Sequence, residues 1–211
     1  MTSEALRVSY LDALGIDLFV SREAAQPGWA ELEREVASCT RCPLHEGRTR
    51  TVFGVGSRIA EWMIVGEAPG AEEDRRGEPF VGRAGQLLDE MLRAVGLDRG
   101  SVFIANILKC RPPANRDPLA AEAGACRPHL ERQIELLQPR LIVAVGRVAA
   151  QRLLGSDAPV GRLRGRVHSF GEAEIPLVVT YHPAYLLRNP SGKREAWKDL
   201  CLARQAVEAQ E

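Results

Sequence analysis

Five cysteines are spread along the 211-residue chain, and four of them have a spacing that suits a metal centre. Cys39 and Cys42 form a Cys-x2-Cys pair, Cys110 lies in a proline-rich segment, and Cys126 follows in a helical pattern. Four thiolates can fill a tetrahedral zinc site or bind an iron–sulfur cluster. Both metals accept four sulfur ligands, so the residues leave zinc and iron open. Cys110 and Cys126 would also suit small buried apolar positions, and Cys201 is predicted to lie in the core.

Three other residues whose side chains could take part in binding or catalysis lie where apolar segments end. Glu67 follows the segment 61–66, Asn106 ends the segment 101–106, and His182 follows the segment 175–180. A carboxylate at the end of a buried strand is costly unless it has a partner or a task. A carboxamide offers a donor and an acceptor together, which suits the edge of a nucleobase, although asparagine is also common in turns. An imidazole can donate to a developing anion, although a single histidine is usually structural.

The glycine-rich segment 67–82 carries an aromatic ring and an acidic run. Phe80 lies between a proline and a valine, where its ring could stack on a base or fill the space under the loop. Glu72, Glu73 and Asp74 are predicted to form a solvated acidic turn. An alternative is that this acidic run binds Mg²⁺ in a nucleotide-processing enzyme.

A parallel sheet is predicted to position these groups. Apolar strands alternate with amphipathic helices, a pattern typical of a sheet covered on both faces. We expect strands at 61–66, 101–106, 141–145, 165–169 and 175–180, and helices at 29–38, 84–95, 119–137, 146–154 and 194–208. Ligands bind beyond the carboxyl ends of such strands. The rule selects the loops at 67–82, 106–118 and 181–189.

Composition limits the class of protein. A chain with 45 % hydrophobic and 27 % charged residues is typical of a globular protein. Residues 28–211 are predicted to form one domain, and residues 1–27 an appendage or linker that ends in a Pro-Gly turn. Neither a signal peptide nor a membrane span is recognisable, so we expect a monomeric cytoplasmic protein with no membrane partner. Residues 15–19 faintly resemble a sliding-clamp-binding peptide, or they form a strand or a tucked apolar segment.

The net charge of zero conceals a segregation of charge. The chain has 28 basic and 28 acidic residues, yet the segments 99–116, 160–168 and 185–198 each carry a local excess of positive charge. Lys109, Arg111 and Arg188 belong to these segments, and Leu187 next to Arg188 has the character of an apolar wedge that distorts a duplex. These segments either form one cationic face for an anionic partner, whose binding would weaken steeply as salt rises, or are three solvated loops that never meet.

Four segments together resemble the family-4 uracil-DNA glycosylases. The similarity lies in Gly66-Glu-Ala-Pro-Gly70, in the segment from Gly77 to Leu88, in the segment from Asn106 to Asp117, and in His182-Pro-Ala-Tyr-Leu-Leu-Arg188. It extends from Cys39 to the last helix. The third position of the first motif is Ala68, so the Asp or Asn that some sister families place there is absent.

The resemblance implies a three-layer α/β/α sandwich with a short, mainly parallel four-stranded sheet. It also implies a structural [4Fe–4S] cluster on the four cysteines and no nucleotide cofactor. The implied cluster ligands are Cys39, Cys42, Cys110 and Cys126. The implied uracil-binding residues are Glu67, Ala68, Pro69, Phe80, Asn106 and His182, of which Glu67, Asn106 and His182 are catalytic. Lys109, Arg111, Leu187 and Arg188 are predicted to contact DNA.

The implied activity is hydrolysis of the N-glycosidic bond of deoxyuridine, flipped out of single- or double-stranded DNA, which initiates base-excision repair. The reaction would be monofunctional, because Lys109 is the only lysine in the three loops and the family places no Schiff base there. The alternative is an iron–sulfur protein that binds deaminated sites with little or no turnover.

Overall fold

Six strands form a single sheet in the computed structural model, which describes residues 28–210. They are β1 (Val55–Gly56), β2 (Trp62–Gly66), β3 (Phe103–Asn106), β4 (Leu141–Val145), β5 (Val167–Phe170) and β6 (Ile175–Thr180). Their order across the sheet is β1-β3-β2-β4-β6-β5. The four central strands are parallel, whereas β1 and β5 pair antiparallel at the two edges. The predicted α/β class and parallel core are confirmed, and the two edge strands enlarge the sheet beyond the four strands that the resemblance implies.

Nine α-helices lie within residues 28–210. They are α1 (Trp29–Ala37), α2 (Leu44–Gly47), α3 (Ala71–Arg76), α4 (Arg83–Ala94), α5 (Ala120–Leu137), α6 (Arg147–Leu154), α7 (Val160–Leu163), α8 (Pro183–Arg188) and α9 (Lys193–Glu208). The five predicted helices are present with ends within one residue of those expected. The short helices α2, α3, α7 and α8 were not predicted, and α3 and α8 lie inside segments that were expected to be loops.

Alternation of side chains along the strands separates two hydrophobic cores. Met63 and Val65 of β2 pack with α1, α5 and α6 on one face of the sheet. Trp62 and Ile64 pack with α4 and α9 on the other face. All of these side chains are almost fully buried, because both faces of the sheet are covered. The arrangement is the expected three-layer sandwich.

The strand register brings the predicted chemistry to one edge. Gly66 at the end of β2 is paired with Asn106 at the end of β3, and β4 connects these strands to β6, which ends at Thr180. The loops after β2, β3 and β6 therefore leave the sheet side by side. None of the helices in residues 28–210 has the length and apolarity needed to cross a membrane. The predicted appendage and the clamp-binding resemblance at 15–19 lie outside the described residues.

Candidate active site and cysteine cavity

A cavity of about 820 Å³ lies beyond the carboxyl ends of β2, β3 and β6. We call it the strand-end cavity. Most of the residues predicted to bind uracil line it: Glu67, Ala68, Phe80, Asn106 and His182. Pro69 is buried, and it is not one of the lining residues. The structure therefore brings together side chains from three separate loops, as the strand-end rule predicts.

Gly66 allows the central part of this cavity to form. A β-carbon at residue 66 would lie 2.6 Å from Cζ of Phe80 and closer still to Oδ1 of Asn106. Real β-carbons essentially never make non-bonded contacts this short, so only glycine permits both side chains to approach the end of β2. Asn106 itself is 2 % exposed. Its carboxamide is thus held at the base of the cavity, where a buried amide needs a hydrogen-bonding partner.

Phe80 is held in an uncommon backbone conformation. Its φ angle is 54°, in the left-handed region that non-glycine residues rarely adopt. The guanidinium of Arg99 donates to the carbonyl of Phe80 at 3.2 Å and to the carbonyl of Pro79 at 2.7 Å. Arg99 also forms an ion pair with Asp89 at 3.1 Å. These contacts compensate for the backbone strain and fix the aromatic ring at the cavity wall.

The prediction of a solvated acidic turn is wrong for two of its three residues. The Glu73 carboxylate accepts backbone N–H groups of Gly70 at 3.1 Å and Val81 at 3.0 Å, so it ties the two ends of the loop together. Asp74 is buried and accepts backbone N–H groups from an earlier segment of the chain. Glu72 alone is exposed. Two of the three carboxylates therefore organise the loop, because they accept hydrogen bonds from backbone N–H groups.

His182 is neutral and has a defined tautomer. Burial and the nearby Arg188 charge lower its pKa to about 4. Its Nδ1 accepts the backbone N–H of Ala184 at 3.1 Å, as an N-cap of α8. A neutral imidazole that accepts at Nδ1 carries its proton at Nε2. The ring lies stacked on Phe80, so its remaining polar group is a single N–H donor.

Glu67 is a half-buried carboxylate at the edge of the same cavity. Burial and the charge of Asp117 raise its pKa, and the charge of Arg147 opposes this effect. Arg147 itself is ion-paired with Asp117. A carboxyl group with a raised pKa in a polar cavity can accept a proton from a bound water.

Sequence reasoning missed two aromatic residues of the strand-end cavity. Tyr181 and Tyr185 both line it, and their rings are stacked with centroids 5.0 Å apart and planes inclined by 26°. They flank the start of α8. The separation of two tyrosines by four residues around the His-Pro pair was the available signal.

The four predicted ligand cysteines line a second cavity, here called the cysteine cavity. They are Cys39, Cys42, Cys110 and Cys126. Cys201 lies on α9 and does not line this cavity. Within residues 28–210, no three His, Cys, Asp or Glu side chains converge closely enough to hold one metal ion. The four thiols line one narrow space, and four sulfur ligands are what an iron–sulfur cluster requires.

Side-chain nitrogen atoms lie against two of these sulfurs. The Arg48 guanidinium donates to Sγ of Cys110 at 3.2 Å, and it also donates to the carbonyl of Cys39 at 2.8 Å. Nε2 of the buried His129 lies 3.3 Å from Sγ of Cys39. Burial raises the pKa of the Cys110 thiol, whereas the hydrogen bond from Arg48 opposes the increase. Donors of this kind stabilise thiolate ligands around a metal centre.

Lys109 is not placed to contact DNA, which corrects the prediction. Its side chain is 1 % exposed, and its ammonium donates to the carbonyl of Asn106 at 2.9 Å and to Oε1 of Gln133 at 2.6 Å. Burial lowers its pKa to about 8. Its backbone N–H donates to Sγ of Cys126 at 3.3 Å. Lys109 therefore links the cysteine cavity to the strand that ends at Asn106.

Other parts of the expected cationic face are also used internally. Arg116 is paired with Glu122, and Arg164 is paired with Asp199 and Glu195. Their positive charges are thus neutralised by neighbouring acids. The segment 160–168 still exposes Arg162 and Arg166 to solvent. The three basic segments therefore do not form one uniform basic surface.

Three of the predicted DNA contacts remain accessible. Arg111 is half-buried, and its Nε donates to Oδ1 of Asn115 at 2.8 Å. Leu187 and Arg188 are exposed at the end of α8, and Arg188 lines the strand-end cavity. Leu186 is buried, so Leu187 is the side chain of this pair that is free to enter a duplex.

Comparison with known proteins identifies the family. A model described as the uracil DNA glycosylase superfamily matches residues 53–204. A type-4 uracil-DNA glycosylase of Archaeoglobus fulgidus is 43 % identical over 175 residues, covering 80 % of this chain and 88 % of that protein. One from Pyrobaculum aerophilum is 45 % identical over 178 residues, covering 82 % and 91 %, and one from Thermotoga maritima is 45 % identical over 165 residues, covering 77 % and 84 %. The chain therefore belongs to the type-4 uracil-DNA glycosylases of the uracil DNA glycosylase superfamily.

Proposed function

We propose that this protein is a uracil-DNA glycosylase that flips deoxyuridine out of DNA and hydrolyses its N-glycosidic bond. The observation that carries this proposal is the convergence of Phe80, Asn106 and His182 in one cavity at the strand ends. The ring of Phe80 can stack on the face of a pyrimidine, and the buried amide of Asn106 can pair with its edge. The imidazole N–H of His182 can donate to one of its carbonyls. The reaction leaves free uracil and an abasic site that base-excision repair then processes.

Asn106 is the residue that would read uracil. Its amide donates to O4 and accepts from N3–H, whereas cytosine presents the opposite pattern at these two positions. The discrimination depends on a fixed amide, because a rotated amide would match cytosine. The close packing of the Asn106 side chain against Gly66 supports such a fixed position, and Lys109 holds the backbone carbonyl of Asn106. Phe80 would stack on the pyrimidine ring.

His182 would stabilise the leaving group. When the C1′–N1 bond breaks, its electron pair goes to uracil, and negative charge spreads onto O2. The neutral imidazole of His182 already carries a proton at Nε2, so it can donate to that oxygen without first taking up a proton from solvent. One such positioned donor contributes about 2.7–4 kcal/mol to lowering a barrier.

Glu67 would act on the other side of the bond. The sugar becomes positively charged as uracil leaves, and water then forms the new bond to C1′. A carboxylate near this carbon can stabilise the cation and take the proton of the water. Lys109 cannot form a Schiff base with the sugar in this geometry, since its amine is buried against Asn106 and Gln133. The proposed reaction is therefore monofunctional.

The same proposal assigns a [4Fe–4S] cluster to the cysteine cavity. Cys39, Cys42, Cys110 and Cys126 would hold one iron each, an arrangement that suits thiols surrounding a shared space better than one zinc ion with four sulfurs at about 2.3 Å. When bound, the cluster supplies a cross-link between the segment after α1, the loop after β3 and α5. It would thereby hold the loop that follows Asn106.

DNA would be bound around the mouth of the strand-end cavity. Leu187 would enter the space left by the flipped nucleotide, and Arg188 would contact a neighbouring phosphate. Both lie at the end of α8, whose first turn is capped by His182. Insertion of Leu187 and placement of His182 are thereby coupled through one short helix.

A cleavage assay tests the proposed function. Purified protein with measured iron and sulfide content is incubated with single- and double-stranded oligonucleotides that contain one deoxyuridine, followed by alkaline cleavage at abasic sites. We expect strand cleavage only in the uracil-containing DNA, and a loss of about 100-fold or more for Asn106→Ala. Intact uracil in the presence of a fully loaded cluster would refute the activity. A colourless protein that contains zinc would refute the cluster.

A further inference from the structure

The stacked tyrosines of the strand-end cavity have no role in the chemistry described above. Tyr181 is half-buried and Tyr185 is 39 % exposed, yet both line the cavity that holds Asn106 and His182. We propose that Tyr181 and Tyr185 form a second subsite that stacks on the nucleobase next to the flipped deoxyuridine. This subsite rests on the proposed function and extends it to the neighbouring nucleotide.

Tyr181 is anchored from the side of α9. The Arg164 guanidinium lies 5.5 Å from the centroid of the Tyr181 ring. Arg164 is fixed by two hydrogen bonds to the fully buried Asp199, at 3.0 and 2.9 Å, and by two to Glu195, one to its carboxylate at 2.9 Å and one to its backbone carbonyl at 2.7 Å. A planar guanidinium held by two carboxylates is a rigid support for an aromatic ring.

Tyr185 extends this support toward solvent. Its ring stacks on Tyr181 at a centroid distance of 5.0 Å, so Arg164, Tyr181 and Tyr185 form a cation–aromatic–aromatic series. Exposed tyrosines at an interface combine a large flat contact area with few rotatable bonds. Base–aromatic stacking of this kind is how single strands are bound without regard to sequence.

The size and charge of the cavity agree with more than one nucleotide. Its volume of about 820 Å³ lies in the upper part of the range of roughly 300–1,000 Å³ found for drug-sized ligands, which are larger than one pyrimidine ring. Arg188 lines the same cavity and is exposed, so a phosphate between two nucleotides has a cation within the site. Uracil bound at Phe80 and Asn106 leaves the part near the tyrosines for a neighbouring base.

A cycle between enzyme variants and modified DNA tests the subsite. Single-turnover kcat/KM is measured for the holoenzyme and for Tyr185→Leu on three single-stranded oligonucleotides. One is unmodified, and the others carry a tetrahydrofuran abasic analogue directly 5′ or 3′ of the deoxyuridine. For the unaltered enzyme, we expect one of the two missing bases to lower kcat/KM by about 5- to 150-fold, the range for one base–aromatic stack.

The decisive quantity is the coupling between the tyrosine and the base. On the unmodified oligonucleotide, Tyr185→Leu should lower kcat/KM by a similar factor. Removal of the critical base should then lower kcat/KM of this variant little further. Tyr185→Phe should behave like the unaltered enzyme, because the stacking ring remains. Trp197→Leu, which removes an exposed aromatic ring from a separate groove on α9, is the matched control and should change neither value.

Each result has a defined meaning. The subsite is overturned if base removal lowers kcat/KM of Tyr185→Leu by the same factor as that of the unaltered enzyme. It is also overturned if the unaltered enzyme is insensitive to both missing bases. In either case, release of uracil leaves the proposed function intact. Absence of uracil release from every oligonucleotide overturns the proposed function and the subsite together. Unchanged circular dichroism and visible absorbance in Tyr185→Leu exclude misfolding as the cause of any loss.

Discussion

The imidazole of His182 lies stacked on the ring of Phe80, with ring centroids 5.6 Å apart and planes inclined by 27°. The two residues belong to loops that follow different strands, so the stack connects the β2 and β6 loops across the strand-end cavity. One face of the imidazole is covered by an apolar ring, and Nδ1 is occupied by a backbone N–H. Covering of the imidazole favours its neutral form over the imidazolium form.

The rate of uracil release should therefore be insensitive to His182 titration near neutral pH. With a pKa of about 4, His182 stays neutral from pH 8 down to about pH 5. We expect His182→Gln to lower kcat by about 10²- to 10³-fold across this range, the cost of losing one positioned donor. Single-turnover pH profiles of both proteins provide the measurement. A transition near pH 6.5 that disappears in His182→Gln would show that the imidazolium takes part.

The same lowered pKa makes the folded state sensitive to acid. In the unfolded chain His182 titrates near 6.5, so below that pH the unfolded state binds the additional proton. Stability contributed by neutral His182 is present above pH 6.5 and is lost as the pH falls toward 4, by about 2–3 kcal/mol. Urea unfolding at pH 7 and pH 4.5 should show a smaller decrease for His182→Gln than for the unaltered protein. Equal decreases would contradict a neutral His182 in the folded protein.

Gly66→Ala should damage the cavity without unfolding the protein. The added methyl would overlap the Phe80 ring and the Asn106 amide, so these side chains must move apart. A displacement of about 1 Å in such groups lowers activity by about 100-fold, and overpacking costs about 1–3 kcal/mol of stability. Kinetics and thermal unfolding measure the two effects separately.

Gly124→Ala is the matched control for that substitution. Gly124 lies within α5, and a β-carbon there would have no neighbour within 4 Å. We expect unchanged kcat/KM and a stability increase of up to about 1 kcal/mol, since alanine favours a helix over glycine. Equal activity of Gly66→Ala and Gly124→Ala would contradict the role of Gly66.

Residues at strand ends were the most predictable part of the site. Asn106 and His182 could be located because a run of apolar residues identifies a buried parallel strand, and the carboxyl ends of such strands share one edge. The edge strand β1 was missed, since two residues carry no detectable alternation. Helices α3 and α8 were missed because six residues are too short for a helical period.

Tertiary partners explain the remaining errors. Glu73 was expected to be solvated, but it is used by backbone donors that lie eight residues further along the chain. Lys109 was expected at the surface, because lysine is rarely buried without a partner. Its partner Gln133 lies on α5, 24 residues away. No local pattern reveals a pair that forms only after the helix packs on the sheet.

Arg48→Met should weaken the proposed cluster. The substitution removes a charged donor from Sγ of Cys110 and from the carbonyl of Cys39, while the aliphatic part of the side chain is retained. Loss of such a partner lowers metal affinity by about 10- to 100-fold. We expect bleaching of the visible absorbance by an iron chelator to be about 10-fold faster or more. Arg34→Met, which alters an exposed arginine of α1, should bleach at the unaltered rate, and equal rates for both variants would contradict the role of Arg48.

Arg188→Gln should lower the salt dependence of DNA binding. Of the arginines and lysines predicted to contact DNA, Arg188 is exposed at the strand-end cavity, whereas Lys109 is buried. A side chain that neutralises one phosphate adds about 0.9 to the slope of log affinity against log salt concentration on a duplex. Affinities for a uracil-containing duplex are measured by fluorescence anisotropy at several salt concentrations, with Asn106→Ala as the inactive background. The slope for Arg188→Gln should be smaller by about one.

Arg204→Gln removes an exposed arginine paired with Glu208 on α9 and should leave the slope unchanged. An unchanged slope for Arg188→Gln would place the phosphate contact on another cation of the cavity mouth.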